Sequence, residues 1–129
     1  MFASNDVFRM ASALAAHAAA RQTAISQNMA NADTPGYRAM DARPFSDTIR
    51  EAPALALRRT RPAHLGEPAA LHRVRLEETV RPGDASPNGN SVSLEREMLN
   101  AAETKHSHDL ALTVYRSGLT LLRSSLGRG

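Results

Sequence analysis

Proline sets the architecture of this chain before any other residue does. All seven prolines lie between Pro35 and Pro87, so the first 34 residues and the last 42 contain none. Inside a helix a proline removes a hydrogen bond and clashes with the carbonyl four residues back, at a cost of about 3 kcal/mol. Long helices are therefore permitted at both ends and interrupted in the middle. The pattern predicts a mainly α chain whose N- and C-terminal long helices pair as a coiled-coil core, with an irregular middle segment that has room for a small β-hairpin. At 129 residues it is one domain's worth of chain. It divides into an N-terminal helix and helix stop (1–34), a Pro- and Arg-containing middle (35–90) and a C-terminal heptad helix (91–129).

Apolar periodicity supports both helices. Val7, Ala11, Leu14, Ala18, Ile25, Met29 and Ala32 recur at spacings of three, four or seven, on one helical face. Ser4 is placed to cap this helix, with Asp6 near the positive end of its dipole. In the second helix Leu94, Met98, Ala101, Lys105, His108, Leu112, Tyr115, Leu119, Leu122 and Leu126 alternate four and three, the 3.5-residue repeat of a coiled-coil seam. Ser93 is its expected N-cap and Gly127 its end. At 1.5 Å per residue these helices are about 40 and 50 Å long. A two-helix hairpin of that length leaves apolar surface without a partner, so the chain reads as a subunit that completes its core against neighbours. Polar residues interrupt both seams: Arg21 and Asn28 in the first, Lys105 and His108 in the second. In coiled coils such residues commonly fix register or partner number.

Both inner helix ends carry turn chemistry. In "NADTPGY", residues 31–37, Thr34 precedes a proline and is pushed out of the α region, which stops the helix by Ala32 or Asp33. Asn31 suits the left-handed conformation that closes helices. Pro35 and Gly36 fit positions i+1 and i+2 of a type II turn, with positive φ at Gly36 and the Tyr37 N–H bonded back to Thr34. The chain then reverses and returns Tyr37 toward the helix end. "SPNGNSVSLEREM" repeats the logic: Pro87, Asn88 and Gly89 make a tight turn, and Ser91 or Ser93 starts the second helix. Between the junctions, Leu55 and Leu57 alternate, as do Val74 and Leu76, which suggests the strands of a small hairpin.

Composition excludes several function classes. Cysteine is absent, so no disulfide, thiolate nucleophile or cysteine-ligated metal is available. No G-x-S-x-G, P-loop, G-x-G-x-x-G or H-E-x-x-H pattern occurs, and no catalytic residue, cofactor or small-molecule substrate is expected. His106 and His108 stand two apart on a helix and point about 200° from each other, a poor chelate. His64 and His72 lie in the middle, away from acidic clusters, and are expected to be exposed. The net charge of +3 arises in residues 38–82, where nine arginines face six acidic residues. A basic helical adaptor for nucleic acid would use Arg38, Arg43, Arg50, Arg58, Arg59 and Arg61. It lacks interleaved aromatics, and Asp and Glu are scattered among the arginines.

The two junctions together carry a family resemblance. "NMANADTPGYRA" at the end of an amphipathic helix resembles the A-N-x-x-T-x-G-Y signature of the bacterial flagellar rod and hook axial protein family. With "GNSVSLEREM" about fifty residues later and a C-terminal heptad helix, the chain is most similar to that family's proximal rod members. The stretch around His106 and His108 is more polar than their pattern. The resemblance implies a non-enzymatic structural subunit of the flagellar basal-body rod, self-assembling by helix packing around the export channel. Its partners would be copies of itself, other rod proteins, the inner-membrane ring with its rod adaptor, and the type III export apparatus. Another axial subunit of the same family is the alternative.

By the same resemblance, Asn28, Asn31, Asp33, Thr34, Pro35, Gly36 and Tyr37 form the motif that shapes the exit from the first helix. Val7, Leu14, Ile25, Met29, Leu94, Met98, Leu112, Tyr115, Leu119 and Leu122 form the assembly seam. The implied location is the basal-body rod spanning the periplasm, reached by export without a cleaved signal. "ASALAAHAAAR" could imitate a secretory core with an A-x-A cleavage site. Against that, no basic residue precedes Arg9, His17 interrupts the run, and the periodic face continues through Ile25 and Met29. No stretch approaches the roughly 20 apolar residues of a membrane span.

Overall fold

Two long antiparallel helices form the body of the molecule. The computed structural model describes residues 2–55, 72–79 and 85–127, with side chains for 6–51, 72–79 and 85–127. In chain order the elements are α1 (Phe2–Ala30), β1 (Met40–Ala42), α2 (Phe45–Leu55), β2 (Leu76–Glu78) and α3 (Leu94–Leu126). The antiparallel pairing follows from cross-helix contacts: Phe8 meets Tyr115 edge-on with ring centroids 5.2 Å apart, Arg21 reaches Asn100 and Glu103, and Asn28 reaches Glu97. Among the described residues no helix is long and apolar enough to cross a membrane.

Helix ends differ from the expectations in detail. α1 begins at Phe2, two residues ahead of the cap expected at Ser4, within the usual latitude of helix boundaries. It ends at Ala30, followed by a turn over 31–33. Asn31 is not left-handed, because the positive φ values are at Gly36 (71°) and Gly89 (81°) alone among the described residues. It closes the helix differently, its N–H bonding to the carbonyls of Gln27 and Asn28 and its side-chain amide donating to Gln27 O at 2.8 Å. Ser93 occupies the N-cap of α3 without a side-chain capping bond, and Gly127 ends the helix at φ −82°, its N–H bonded to Arg123 O. The helix thus closes without the left-handed residue of a Schellman motif, and the Ser124 and Ser125 hydroxyls donate to Leu121 O and Leu122 O in its last turns.

The middle contains more helix than its prolines suggested. Pro44 stands just before α2 and accepts the first bonds of that helix from Asp47 N and Thr48 N, a place where its missing N–H costs nothing. A small antiparallel sheet is present, as expected, with a different first strand. β1 pairs with β2 in the register Met40↔Glu78, Asp41↔Glu77 and Ala42↔Leu76. Bonds from Thr79 N to Ala39 O and from Arg43 N to Arg75 O extend the ladder at both ends. Of the residues expected in the hairpin, Leu76 is in β2, Val74 lies just before it, Leu55 ends α2, and Leu57 lies outside the described residues.

The helix contact is built from small and polar side chains. On α1 the buried residues include Ala11, Ala13, His17, Ala18, Ala24, Ile25 and Asn28; on α3 they are Glu97, Thr104 and Ala111. Alanine faces let two backbones approach closely, and further along the same contact Phe8 rests on Gly118. A β-carbon at Gly118 would come within 2.8 and 2.9 Å of the Phe8 ring, so any larger residue there must push the ring aside. The heptad stripe of large residues on α3 is offset from this face by about one residue. Leu94, Met98, Leu112, Tyr115 and Leu122 stay exposed, Met98 at 66 %, as do Val7 and Met29 on α1. Leu14 and Leu119 are half-buried, and Ile25 is fully buried. The stripe therefore does not join α1 to α3 within one chain, apart from the edge-on contact that Tyr115 makes with Phe8.

Candidate functional site

Where α1 ends and α3 begins, the two turns identified in the sequence lock into each other. The first is the type II turn: Tyr37 N bonds Thr34 O at 3.2 Å and Gly36 takes φ 71°. In the second, Gly89 N bonds Ser86 O and Ser86 N bonds Asn90 O. This is a three-residue loop closed by a left-handed glycine, a common hairpin connection. Gly36 N then donates to Asn88 O at 3.0 Å, and a β-carbon on Gly89 would stand 3.5 Å from the Gly36 Cα. Glycine serves both positions for conformational reasons, since neither meets a severe steric barrier.

Asn90 is the pin of this clasp. It is 1 % exposed, and its two amide hydrogens donate to Asn31 O (2.8 Å) and Thr34 O (2.7 Å) while its oxygen accepts from Val92 N (2.8 Å). It thereby gives a second donor to each of two turn carbonyls that also accept from Thr34 N and Tyr37 N. Ser91 extends the lock, its N–H bonding Tyr37 O and its hydroxyl accepting from Ala39 N at 2.9 Å.

One turn back in α1, Asn28 anchors the returning strand. Its oxygen accepts from Met40 N (2.9 Å) and from the Tyr37 hydroxyl (3.3 Å), and its amide donates to Met40 O (2.7 Å) and Glu97 Oε2 (3.1 Å). The carboxamide imitates a neighbouring β-strand, bonding both backbone groups of one residue, and every one of its hydrogen-bonding sites is used. Burial raises the Glu97 pKa; the hydrogen bond from Asn28 opposes this, and the negative charge of Asp41 adds to it. Nearby, Arg21 Nε and Nη2 grip both Asp41 oxygens at 2.8 and 3.1 Å, with Asn100 at 3.4 Å. That bidentate hydrogen bond raises the guanidinium pKa and ties α1 to β1 and α3.

The motif residues separate into two groups. Asn28, Asn31, Thr34, Pro35, Gly36 and Tyr37 converge on the clasp, whereas Asp33 is exposed on its outside. The sequence marks Asn28 both as an interruption of the apolar seam and as a motif residue, and Arg21 as an interruption alone; it does not single out Asn90, Ser91, Glu97 or Asp41 as structural partners. One signal was present: "NGNSVS", residues 88–93, places uncharged polar residues ahead of the first heptad position at Leu94, as a chain does when it supplies side-chain bonds to another segment's backbone.

Several other polar groups are committed elsewhere. His17 is buried, its Nε2–H donating to Arg43 O at 2.7 Å with Phe45 beside the ring. His72 is exposed and hydrogen-bonded to Ser12, and Lys105 pairs with Asp109 at 2.8 Å on the surface. His64 lies outside the described residues. Beside the clasp, α1, the sheet and the start of α2 line a cleft of about 730 Å³. Its charged groups largely pair with one another, as in Arg21 with Asp41 and Arg43 with Glu77. No group of three or more metal-ligating side chains occurs among the described residues.

Comparison with known proteins agrees with the geometry. Residues 10–38, most of α1 and its stop, match the family model described as flagella basal body rod protein. The flagellar basal body rod protein FlgB of Agrobacterium fabrum is 32 % identical over 115 residues, covering 87 % of this chain and 86 % of that protein. FlgB of Salmonella typhimurium is 32 % identical over 126 residues and FlgB of Yersinia enterocolitica 31 % over 123, each alignment covering 86 % of both chains.

Proposed function

The chain belongs to the flagellar basal body rod protein FlgB family, and on that premise we propose that it is a proximal rod subunit that self-assembles by helix packing around the export channel. Its partners in this reading are copies of itself, other rod proteins, the inner-membrane ring with its rod adaptor, and the type III export apparatus through which it leaves the cytoplasm uncleaved. The rod would carry it across the periplasm. The body made of α1 and α3 is the packing unit, and the clasp fixes the angle at which the middle segment departs from it.

One observation carries this reading. After α1 and α3 have packed, Leu94, Met98, Leu112, Leu122 and Leu126 still face outward at 36–79 % exposure. Repeated large apolar residues along one helix mark a contact that lies outside the chain. Open, head-to-tail contacts between identical subunits generate filaments, as a rod requires.

The test replaces exposed stripe residues, Met98→Asp and Leu112→Asp. Both side chains are exposed in the monomer, so the purified variants should keep the helix content of the parent by circular dichroism. In a strain carrying only the variant, basal bodies should lack the subunit and motility should be lost. Normal incorporation of both variants would contradict the proposed packing face, and cross-links placing the chain away from the inner-membrane ring would favour another position on the axis.

A further inference from the structure

The chain has six asparagines, and one of them, Asn88, is followed by glycine. We infer that Asn88–Gly89 is a site of spontaneous amide-to-acid conversion, and that the clasp is what protects it. The chemistry needs only water. The Gly89 backbone nitrogen, having given up its proton to solvent, attacks Asn88 Cγ. The Cγ–Nδ2 bond breaks and ammonia leaves with a proton from water, so that a five-membered succinimide closes. Water then opens the ring at either carbonyl. One route gives aspartate on the original backbone. The other gives an isoaspartyl linkage, in which the chain runs through Cβ and Cγ and the former main-chain carbonyl becomes a free carboxylate. The sum is asparagine plus water to acid plus ammonia, with no change of oxidation state.

Glycine matters because a side chain at that position shields its own nitrogen from approach, and glycine has none. Asn88 is exposed, so water reaches it and ammonia can leave. Asn90 and Asn28, each 1 % exposed, have carboxamides held by three and four hydrogen bonds respectively.

In the folded chain the reacting groups are held in other bonds. Gly89 N–H is bonded to Ser86 O at 2.9 Å, and Asn88 Oδ1 accepts from Asn90 N at 3.1 Å. Attack therefore requires the turn to open, and the rate follows the population of the opened state. Conversion also damages the clasp. The carbonyl that accepts the Gly36 N–H at 3.0 Å is the one that the isoaspartyl route turns into a carboxylate. The same route lengthens the path to Gly89 by one methylene, which separates Ser86 from its turn partner. A chain kept unfolded would thus age at the joint on which its folded form depends.

The full-length chain is incubated at mildly alkaline pH in native buffer and, separately, in concentrated urea, then peptide-mapped by mass spectrometry with isoaspartate detection. In urea, Asn88 should convert faster than the other five asparagines. In native buffer its rate should fall at least about tenfold, as expected for a clasp stable to opening by about 1.4 kcal/mol. Ser91→Ala, which removes the Ala39 bond and leaves Asn88–Gly89 untouched, should raise the native rate toward the urea rate. A native rate equal to the urea rate, an unchanged rate in Ser91→Ala, or another asparagine converting first in urea would each overturn the inference.

Discussion

Replacing Asn90 tests the clasp most directly. Asn90→Ala deletes two donors and one acceptor, those facing Asn31 O, Thr34 O and Val92 N. A hydrogen bond contributes about 1 kcal/mol net, and stranding its buried partner costs more. Both carbonyls retain a second donor here, since Asn31 O also accepts from Thr34 N and Thr34 O from Tyr37 N. The stranding penalty is therefore partial, and the total is about 2–3 kcal/mol. Measured against the 5–15 kcal/mol typical of a domain, that is a large loss. For a chain of this length it lowers the melting temperature by about 10 °C.

Asn90→Asp separates hydrogen bonding from shape. The volume is unchanged, but a carboxylate oxygen now faces two carbonyl oxygens at a site with 1 % exposure. At neutral pH this variant should be less stable than Asn90→Ala, because it adds a buried unpaired charge to the lost donors. Burial and the facing carbonyls raise the pKa of the introduced carboxyl. Its folded form then binds the proton more tightly than its unfolded form, so the deficit shrinks as pH falls through the folded pKa. Urea denaturation followed by circular dichroism from pH 7 to 5, at one fixed protein concentration, measures both effects. An aspartate variant as stable as the alanine one at pH 7, or either within 0.5 kcal/mol of the parent, would refute the role given to Asn90.

Glu97 supplies a second pH signature. Its pKa is raised in the fold, chiefly by burial, so stability should decline as pH rises from the ordinary glutamate range through the folded pKa and stay lower above it. Glu97→Gln, which keeps an oxygen for Asn28, should flatten that slope; denaturation midpoints between pH 4 and 8 decide, and an unaltered slope assigns it elsewhere. Gly36 has positive φ and no neighbour that a β-carbon would strike, so Gly36→Val should cost about 1–3 kcal/mol through the backbone alone, whereas Gly36→Asn should cost clearly less. Equal losses in the two variants, measured by urea unfolding, would show that φ is not what selects glycine. Gly118→Ala should destabilise the parent because of the Phe8 ring, yet stabilise a Phe8→Ala background, where only the helix preference of about 1 kcal/mol for alanine remains. A thermal double-mutant cycle without that change of sign would mean that the ring moves aside freely.

The legibility of this fold in the sequence follows from how local each signal is. Proline placement and apolar period are local, and both terminal helices were visible through them. Pro35–Gly36 is local too, and its type II turn formed as read. Asn90 was not legible, because its meaning depends on two carbonyls 56 and 59 residues away. The first strand was missed for the same reason. Met40–Ala42 has little strand propensity of its own and is held by Asn28, Ser91 and β2, a case of tertiary context outweighing intrinsic preference. α2 was hidden behind Pro44, which reads as an interruption unless its place just before a helix is recognised.

The seam on α3 teaches something different. A heptad search finds the face richest in large aliphatic residues, and it found one. Inside the chain, however, α1 presents alanines at Ala11, Ala18 and Ala24, and the part of α3 that meets them carries Asn100, Ala101, Thr104 and Ala111. Small faces permit close approach, and specificity comes from Arg21 with Asn100 and Glu103 and from Asn28 with Glu97. Such polar pairs add little net stability, since desolvation offsets much of their attraction, but they penalise any slip of one helix along the other. A sliding error would leave the buried Glu97 without Asn28 and take Asn100 and Glu103 away from Arg21. The chain therefore fixes its own register with polar groups and keeps most of the large apolar side chains of the α3 stripe outside. If that division is correct, Arg21→Met should leave a well-folded helical chain whose interhelical register is less uniquely defined, readable as duplicated cross-peaks at α1 and α3 by nuclear magnetic resonance. A single sharp set of resonances would remove Arg21 from that role and leave the register to the alanine packing and the Asn28–Glu97 pair.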